Sequence, residues 1–470
     1  MEQRETFHID EGLTFATTFY KEYPWQNFEI ARPLTGKELK QSTVYNNASF
    51  KDLVKDLYKL HIDVRFDDHT NLYFSLLRGF FGAKGTQNFY DLRNDGIYFN
   101  IILFLISFIL SLYIFYSAGV EIKAIPLLLL TIFASTGSIA TTIFIRPYQL
   151  QETTTLLLCA ILFYFYQKDH LESKNYLIFS FLVFAFSTLL LSGYFSIIFT
   201  TILLLLLISL TKNKLFFIYV YIASFIVATA YYAKYFGFLI SGRTAEAAST
   251  FSSQRIIQNI YDSVAHIPTI FNNAFGWPLA VLLALTISFI IWKKALCEPP
   301  NILFIFFSAG VISMGVIIFL APYKIFRYIS PYIVLLFFPL SIYSTQIKKY
   351  STYIVLSCLC IASLMSSFIM HPDVPIQKTN LEAYLQESSN IPIVAYSDST
   401  WKYFTFIPTL PDTAILWFAN DLQSLKKHII NYPEATVIIP QGTNILIPEN
   451  YTIISQFTAS YFKIFYIKHH

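Results

Sequence analysis

The chain has 470 residues, of which 55% are hydrophobic and 13% charged, and its formal net charge is +4. Soluble domains carry about 25% charged residues, so the composition excludes an ordinary soluble protein. The small positive charge gives no case for a nucleic-acid partner. The apolar residues lie in long runs between two polar ends, which is typical of a polytopic α-helical membrane protein. None of the four cysteines lies in a polar end, so no disulfide framework is expected.

The first 96 residues form a polar, aromatic-rich segment. The stretch 7–15 (FHIDEGLTF) places two adjacent carboxylates, Asp10 and Glu11, near its start. Taken alone, these acids are equally typical of a helix start, where negative charge complements the helix dipole. Apolar residues recur at helical spacing in 49–61 (SFKDLVKDLYKLH), which predicts a helix lying flat at the membrane interface. Residues 72–81 predict a second juxtamembrane helix, too short to span a bilayer.

Ten membrane spans are predicted in the apolar part of the chain. A straight span needs about 20 residues, so the ends of the shorter ones are approximate. Ser192, Gly193 and Tyr194 offer a turn that divides one long apolar run into two passes. The predicted spans are 97–117, 124–143, 151–167, 176–191, 194–210, 215–233, 277–292, 302–320, 329–345 and 352–370.

Lysine is distributed unevenly between the two sets of connecting loops. Five alternate connections contain nine lysines between them, which places this set on the cytoplasmic side. Both polar ends, and a long loop predicted at 234–275, then face the outside. That loop is either a lid over an acceptor site or a plain connector. For residues 1–96 to lie outside, we expect a further membrane helix upstream of Met1, which would make eleven spans.

Residues 371–470 return to a soluble composition and predict a small α/β domain. We see no glycine-rich phosphate loop and no catalytic constellation in it. The chain is therefore divided into an outer catalytic loop (1–96), a transmembrane bundle (97–370) and an outer domain (371–470). The domain is predicted to have a helix at 421–431 and strands at 393–396, 414–418, 435–440, 451–457 and 461–468, the last two as a hairpin.

Three more charged stretches are expected at the outer face, beside Asp10. Charge at the end of a span is costly, so its retention often reflects function. Each arginine or tyrosine taken alone is explained as well by snorkelling into the headgroup region. The stretches are 65–73 (RFDDHTNLY), with Asp67, Asp68 and His69; Arg146-Pro147-Tyr148; and 322–328 (PYKIFRY), with Lys324, Arg327 and Tyr328.

Together these stretches resemble the GT-C glycosyltransferases that use polyprenyl-phosphate sugars, of the protein O-mannosyltransferase and aminoarabinose-transferase kind. In that family an aspartate, often followed by glutamate, lies in the first outer loop, as Asp10 and Glu11 do. The stretch 68–74 (DHTNLYF) falls where the family has Asp-(basic or His)-Pro-Pro-Leu-Tyr-Tyr, with Thr-Asn in place of the double proline. Arg146-Pro147-Tyr148 and Arg327-Tyr328 resemble its later arginine–tyrosine motifs. The resemblance covers about residues 5–345.

The resemblance implies that a sugar moves from a polyprenyl-phosphate donor to a hydroxyl acceptor, with inversion, at the periplasmic face of the cytoplasmic membrane. Asp10 would be the base, with Glu11 as an orienting or second carboxylate. No cofactor is certain, although the two acidic pairs could share Mg²⁺ or Mn²⁺; no ligand spacing demands a metal. The donor phosphate would be bound by His69, Arg146, Lys324 and Arg327, while Asp67, Asp68, Tyr148 and Tyr328 would bind the sugar or support the cations.

Two other classes of protein fit parts of the sequence. A transporter or flippase for a polyprenyl-linked saccharide would also be aromatic-rich and polytopic. Its ionisable site would usually lie near the bilayer midplane, whereas the predicted spans carry almost no charge in their interiors. A non-enzymatic scaffold would explain the C-terminal domain but not the ordered motifs. The sugar stays open, and so does the acceptor, which could be a glycan, a lipid or a protein.

Overall fold

The computed structural model of the chain describes most of its residues. These are 8–21, 32–45, 49–64, 69–85, 89–169, 175–240, 256–292, 302–321, 323–346, 349–368, 384–385, 390–396, 400–405, 407–443, 447–459 and 462–470.

Four helices come from the polar N-terminal segment. The structure confirms the helices predicted at 49–61 and 72–81, the second with identical bounds. Side-chain caps explain two of the starts: Thr35 accepts a hydrogen bond from the backbone of Glu38, and Ser49 accepts one from the backbone of Asp52. The four helices are α1 (Ile9–Thr18), α2 (Gly36–Thr43), α3 (Phe50–Ile62) and α4 (Leu72–Phe81).

The apolar part of the chain forms a helical bundle, with a helix at or near each predicted span. Among the described helices, four are long and apolar enough to cross a membrane: Asp91–Ser117, Lys214–Tyr231, Ile256–Ile290 and Ile302–Leu320. The bent pair Ile125–Phe133 and Thr136–Ile143 would make a fifth span. The chain is thus a multi-pass membrane protein, while ten or eleven spans remain a prediction. The helices are α5 (Phe89–Ser117), α6 (Ile125–Phe133), α7 (Thr136–Ile143), α8 (Tyr148–Gln167), α9 (Tyr176–Ser192), α10 (Ser196–Leu210), α11 (Lys214–Tyr231), α12 (Ile256–Trp292), α13 (Ile302–Leu320), α14 (Phe338–Gln346) and α15 (Lys349–Ser366).

The span predicted at 124–143 is not one straight helix, because α6 and α7 meet at an angle of 59°. Ser135 lies between them in an extended conformation, and its hydroxyl accepts a hydrogen bond from the backbone N–H of Ser138. A capped serine of this kind begins a new helix instead of continuing the old one. Gly137 then allows α7 to approach α12, since an added Cβ would lie 2.6 Å from the carbonyl oxygen of Ala274.

The prediction of an unbroken loop at 234–275 was wrong. A 3-10 turn covers Tyr235–Ile240, and α12 begins at Ile256, so helix replaces the last twenty residues of the expected loop. Gly276, with φ of 68°, breaks α12 just before the predicted span, and Pro278 lies in the first turn after the break. Polar residues are interspersed along 256–275, which is typical of a loop, but the segment is helical. Residues 241–255, the middle of the possible lid, lie outside the described residues.

The C-terminal domain has the five predicted strands and the predicted helix α16 (Leu422–Ile430). Its sheet also gains a strand from the N-terminal segment, which the sequence did not predict. This two-residue strand, Leu34–Thr35, pairs antiparallel with the strand Ile415–Ala419. With the strands numbered along the chain as given below, the sheet order is β1-β3-β2-β4-β6-β5. The last two strands form the expected hairpin. The strands are β1 (Leu34–Thr35), β2 (Ile393–Tyr396), β3 (Ile415–Ala419), β4 (Glu434–Pro440), β5 (Tyr451–Ala459) and β6 (Phe462–His469).

The start of α2 is docked closely against the C-terminal domain. Gly36 donates its backbone N–H to the carbonyl oxygen of Ala414 at 2.8 Å, and an added Cβ there would overlap the carbonyl oxygen of Pro411. One turn later, Lys40 forms an ion pair of 2.8 Å with Asp412. The first and third segments of the chain therefore fold together.

We expect Gly36→Ala to loosen this docking, because overpacking of this kind costs about 1–3 kcal/mol. The measurement is amide hydrogen exchange at Leu34, Thr35 and the facing strand β3, which should become faster. Gly79→Ala is the matched control: it adds the same methyl group to α4, where no atom lies within 4 Å. Unchanged exchange in Gly36→Ala would contradict the close contact.

Candidate active site

The start of α1 is capped by two side chains, those of His8 and Glu11, and these caps distinguish Glu11 from its neighbour Asp10. His8 accepts a hydrogen bond from the backbone N–H of Asp10 at 3.1 Å, and Glu11 accepts one from the backbone N–H of His8 at 2.9 Å. The other carboxylate oxygen of Glu11 accepts the backbone N–H of Ile145 at 3.0 Å. Glu11 is fully buried, so it holds α1 against the connection between α7 and α8.

Asp10 is the acid that remains accessible, with 24% of its side chain exposed. Its carboxylate oxygen Oδ2 lies 2.8 Å from Nη1 of Arg327 and 3.6 Å from Nδ1 of His8. The residue is also held through its backbone, because its carbonyl oxygen accepts the hydroxyl of Thr14 at 2.8 Å. The structure therefore places a partly exposed carboxylate directly against a guanidinium group.

Arg146 joins α1 to the stretch that contains His69. It is 5% exposed, and its Nη1 donates to the carbonyl oxygen of Asp10 and to Oγ1 of Thr14, both at 3.1 Å. Its Nη2 lies 3.2 Å from Nδ1 of His69. The guanidinium group of Arg146 thus contacts two other predicted site residues, Asp10 and His69, which are distant from it in the sequence.

The connection between α7 and α8, residues 144–147, is held from three sides. Asn100 donates to the carbonyl oxygen of Phe144 at 2.8 Å, and the hydroxyl of Tyr73 donates to Asn100 at 3.0 Å. Gly96 makes room for Ile145, since an added Cβ would lie 2.9 Å from that side chain. With Glu11 as the third contact, the connection presents Arg146 in a fixed position, as a preorganised site requires.

Arg327 lies in a 3-10 turn, Phe326–Tyr328, with its guanidinium 5.5 Å from the ring centre of Phe144 and 6.0 Å from that of Tyr328. Burial opposes its charge, yet its pKa lies above the ordinary value, because Tyr148, Asp10 and Tyr328 surround it with oxygen atoms. Its Nε is buried and has no hydrogen-bond partner among the described residues. A buried N–H of this kind is costly, so the site is suited to an anion that would accept from it.

Aromatic rings surround the charged groups. The ring of Tyr148 lies 6.1 Å from that of His69, 6.4 Å from that of Phe144 and 6.3 Å from that of Tyr328. Tyr328 in turn packs edge-on against Phe195 at the start of α10, at 5.4 Å. The predicted residues Tyr148 and Tyr328 therefore lie at the same centre as Asp10, His69, Arg146 and Arg327.

Three other predicted site residues are not part of this cluster as described. Lys324 donates to the carbonyl oxygens of Ile318, Phe319 and Ala321 at 2.7, 3.0 and 2.9 Å, and burial lowers its pKa. These three bonds use the donors of its ammonium group, so Lys324 caps the end of α13, and its role in binding a phosphate stays a prediction. Asp67 and Asp68 lie outside the described residues.

The sequence reading missed the contribution of the C-terminal domain. Phe404, fully buried, joins the same apolar cluster as Phe15 of α1 and Phe19, which follows that helix. An added Cβ at Gly12 would lie 2.6 Å from the Cβ of Phe404, so only glycine permits this approach. The cap formed by His8 had no clear sequence signal, because histidine is not among the usual capping residues. No sequence signal identified Phe404.

The described residues contain no group of three or more histidine, cysteine, aspartate or glutamate side chains that could hold a metal ion. Glu11 already binds two backbone N–H groups, and Asp10 is paired with Arg327.

Comparison with known proteins identifies the fold. No family model and no curated protein matches the sequence. The structure resembles that of ArnT from Cupriavidus metallidurans bound to undecaprenyl phosphate, with a TM-score of 0.51 and 10% identity over 97% of this chain and 96% of that chain. The oligosaccharyltransferase of Archaeoglobus fulgidus, in complex with Zn and sulfate, is a weaker match: the TM-score is 0.45, with 10% identity over 80% of this chain and 59% of that chain. The chain has a GT-C glycosyltransferase fold, as the sequence resemblance predicted.

We expect Glu11→Ala to destabilise the protein, because it leaves the buried N–H groups of His8 and Ile145 without acceptors, at about 1–3 kcal/mol each. Glu11→Gln should have a smaller effect, since its amide oxygen can replace one acceptor. The measurement is the melting temperature in detergent.

The matched control is Glu38→Ala, which removes the equivalent glutamate from the exposed cap of α2. Equal losses in Glu11→Ala and Glu38→Ala would show that the contact of Glu11 with Ile145 carries no weight.

Proposed function

We propose that the protein is a membrane glycosyltransferase that moves a sugar from a polyprenyl-phosphate donor to a hydroxyl acceptor. The observation that carries the proposal is the ion pair between Asp10 and Arg327, 2.8 Å apart beside aromatic rings. It puts a proton acceptor next to a phosphate-binding cation in a multi-pass protein with a GT-C fold. The proposed donor is of the same chemical class as the undecaprenyl phosphate bound to ArnT.

Asp10 is the proposed base, since it is the exposed acid of the pair. The acceptor hydroxyl would give its proton to Asp10 as its oxygen bonds to the anomeric carbon of the sugar. The bond from that carbon to the donor phosphate oxygen would break at the same time, and the phosphate would leave with the electron pair. A single displacement of this kind inverts the anomeric centre.

Arg327 is proposed to couple donor binding to the activation of Asp10. The guanidinium group of Arg327 lies 2.8 Å from the carboxylate of Asp10 and stabilises its negative charge. A donor phosphate that accepts from the buried Nε of Arg327 would share this positive charge, and Asp10 would become a better base. Arginine suits this role because its planar donors match phosphate oxygens.

Arg146 and His69 are proposed to complete the binding site for the phosphate. Their nitrogen atoms lie 3.2 Å apart, and Arg146 also donates to the carbonyl oxygen of Asp10. Fixed positive groups stabilise the charge that grows on a leaving phosphate. With Arg146 and Arg327 in these positions, we propose that transfer needs no divalent cation. Asp67, Asp68, Tyr148 and Tyr328 keep their proposed role in binding the sugar or supporting the cations.

The reaction is proposed to occur at the periplasmic face of the cytoplasmic membrane, with both polar ends on that side. The distribution of lysine between the loops supports this orientation. His69, Arg146 and Arg327, which that orientation puts outside, do lie beside Asp10 of the polar N-terminal segment. The acceptor is a glycan, a lipid or a protein, and a flippase of lipid-linked saccharides is the alternative activity.

We expect Asp10→Asn to lower the rate of sugar transfer about 10²- to 10⁴-fold, the usual contribution of a general base, with donor binding retained. The assay follows transfer from a labelled polyprenyl-phosphate hexose or pentose in membranes that contain the protein. EDTA is present throughout, because the proposed site uses arginines instead of a metal.

Asp63→Asn is the control, since Asp63 forms an ion pair with Lys234 away from α1. Full activity of Asp10→Asn would remove Asp10 as the base. If the unaltered protein transports the donor but transfers no sugar, the flippase alternative replaces the enzyme.

We expect Arg327→Gln to weaken donor binding and to lower kcat about 10²- to 10³-fold, the usual cost of removing one stabilising donor. Lys324→Met should instead lower the melting temperature, because it uncaps α13, and should leave donor affinity unchanged. Donor titrations and melting curves of both variants separate the two roles. Equal donor affinities in Arg327→Gln and the unaltered protein would contradict the proposed phosphate site.

A further inference from the structure

Helix α3 is fixed to the protein along one face only. Leu60 is fully buried on that face, and Asp56, one turn earlier, forms an ion pair of 2.9 Å with the fully buried Arg78 of α4. The amide of Asn71, at the start of α4, donates to the carbonyl oxygen of Leu60 at 3.1 Å. These contacts set the rotation of α3 about its own axis and decide which residues face outward.

The outward face carries a line of large apolar side chains. Phe50, Val54, Tyr58 and Ile62 are 71%, 50%, 65% and 41% exposed. Residues four apart share one face of a helix, so these four form a continuous stripe along its whole length. An exposed apolar surface of this kind marks a site of contact with a membrane or another molecule.

A row of lysines runs beside this stripe. Lys51, Lys55 and Lys59 each follow a stripe residue by one position, so they lie about 100° further around the helix. Lys51 and Lys55 are exposed, while the ammonium group of Lys59 lies 4.6 Å from the ring centre of Tyr20. The helix thus has a protein-facing side, an apolar side and a basic side.

The end of α3 lies at the end of a candidate membrane span. His61 packs edge-on against Tyr231, the last residue of α11, at 6.0 Å. The next residues are held there too: Asp63 pairs with Lys234 at 2.7 Å, and the backbone N–H of Val64 donates to the hydroxyl of Tyr232 at 3.3 Å. Because α11 is long and apolar enough to cross the bilayer, the C-terminal end of α3 lies near the depth at which the acyl chains meet the headgroups.

We propose that the outward face of α3 binds the surface of a bilayer that contains anionic lipids. The stripe of Phe50, Val54, Tyr58 and Ile62 enters the acyl-chain boundary, and Lys51 and Lys55 contact headgroup phosphates. Both features are those of an interfacial amphipathic helix. The lysines alone would fit an acidic protein partner as well as an anionic membrane. We favour the membrane because the apolar stripe ends beside Tyr231, the last residue of the candidate span α11. The inference does not depend on sugar transfer.

The first experiment measures the preference for anionic lipid. The full chain in detergent is mixed with equal amounts of phosphatidylglycerol and phosphatidylcholine, and retained lipid is counted by native mass spectrometry. Each lysine near an anionic surface contributes about a fivefold preference. We therefore expect Lys51→Gln combined with Lys55→Gln to lower the preference by up to about 25-fold at low salt, with a smaller difference at high salt.

The matched control combines Lys426→Gln with Lys427→Gln, which removes the same charge from two exposed positions of α16. An unchanged lipid preference in the α3 variant, or an equal loss in the control, would overturn the role of the lysines.

The second experiment measures depth. A spin label is attached at position 54 (Val54→Cys), in a chain whose own cysteines are replaced by alanine, and the protein is reconstituted in bilayers with 30% phosphatidylglycerol. The label should be more accessible to oxygen than to a water-soluble nickel complex. The same label at position 427 (Lys427→Cys) should show the reverse. A label at position 54 that favours the nickel complex would overturn the proposal.

Discussion

The buried carboxylate of Glu11 is the constraint on which the geometry of this site depends. A buried carboxylate is costly unless hydrogen bonds compensate it, and Glu11 accepts such bonds from the backbone N–H groups of His8 and Ile145. Those two groups belong to the start of α1 and to the connection before α8. A displacement of α1 would break these hydrogen bonds, which help to hold the helix where Asp10 lies against Arg327.

The two arginines at this centre differ in what holds them. Arg146 is bound to α1 through the carbonyl oxygen of Asp10 and the hydroxyl of Thr14, so it is as fixed as the helix itself. Arg327 contacts the aromatic faces of Phe144 and Tyr328 and forms an ion pair with Asp10. A fixed cation and an adaptable one side by side suit a ligand whose negative charge changes as it reacts.

Much of the architecture was readable from periodic patterns. Helices α3 and α4, the apolar helices and the strands of the C-terminal domain each have a local signal, since spacing and composition are properties of the segment itself. The sequence did not predict the bend at Ser135, because one serine inside an apolar run does not interrupt the pattern of a membrane span. It did not predict the helix at 256–275 either, because polar residues in that segment are also typical of a loop. Strand β1 has only two residues and no pattern of its own.

The site was less readable than the fold. Sequence order brought Asp10, His69, Arg146 and Arg327 together as candidates, and the structure places them side by side. The different environments of Asp10 and Glu11 depend on the partners of each side chain, which adjacent letters cannot distinguish. Lys324 shows the same limit: a lysine after a span can face a phosphate or cap its own helix, and the sequence does not reveal the carbonyl contacts that the structure shows.

The joining of β1 to the C-terminal sheet also has a consequence for biosynthesis. Lys40 and its partner Asp412 are 372 residues apart, so the contacts that hold the N-terminal segment form only after nearly the whole chain has been made. Phe404, which packs on α1, is made equally late. The N-terminal segment, including α1, is synthesised first and lacks its contacts with Asp412 and Phe404 until the C-terminal domain folds. Assembly of the site therefore follows completion of the chain, and a nascent or truncated protein would carry the reactive groups without their final arrangement.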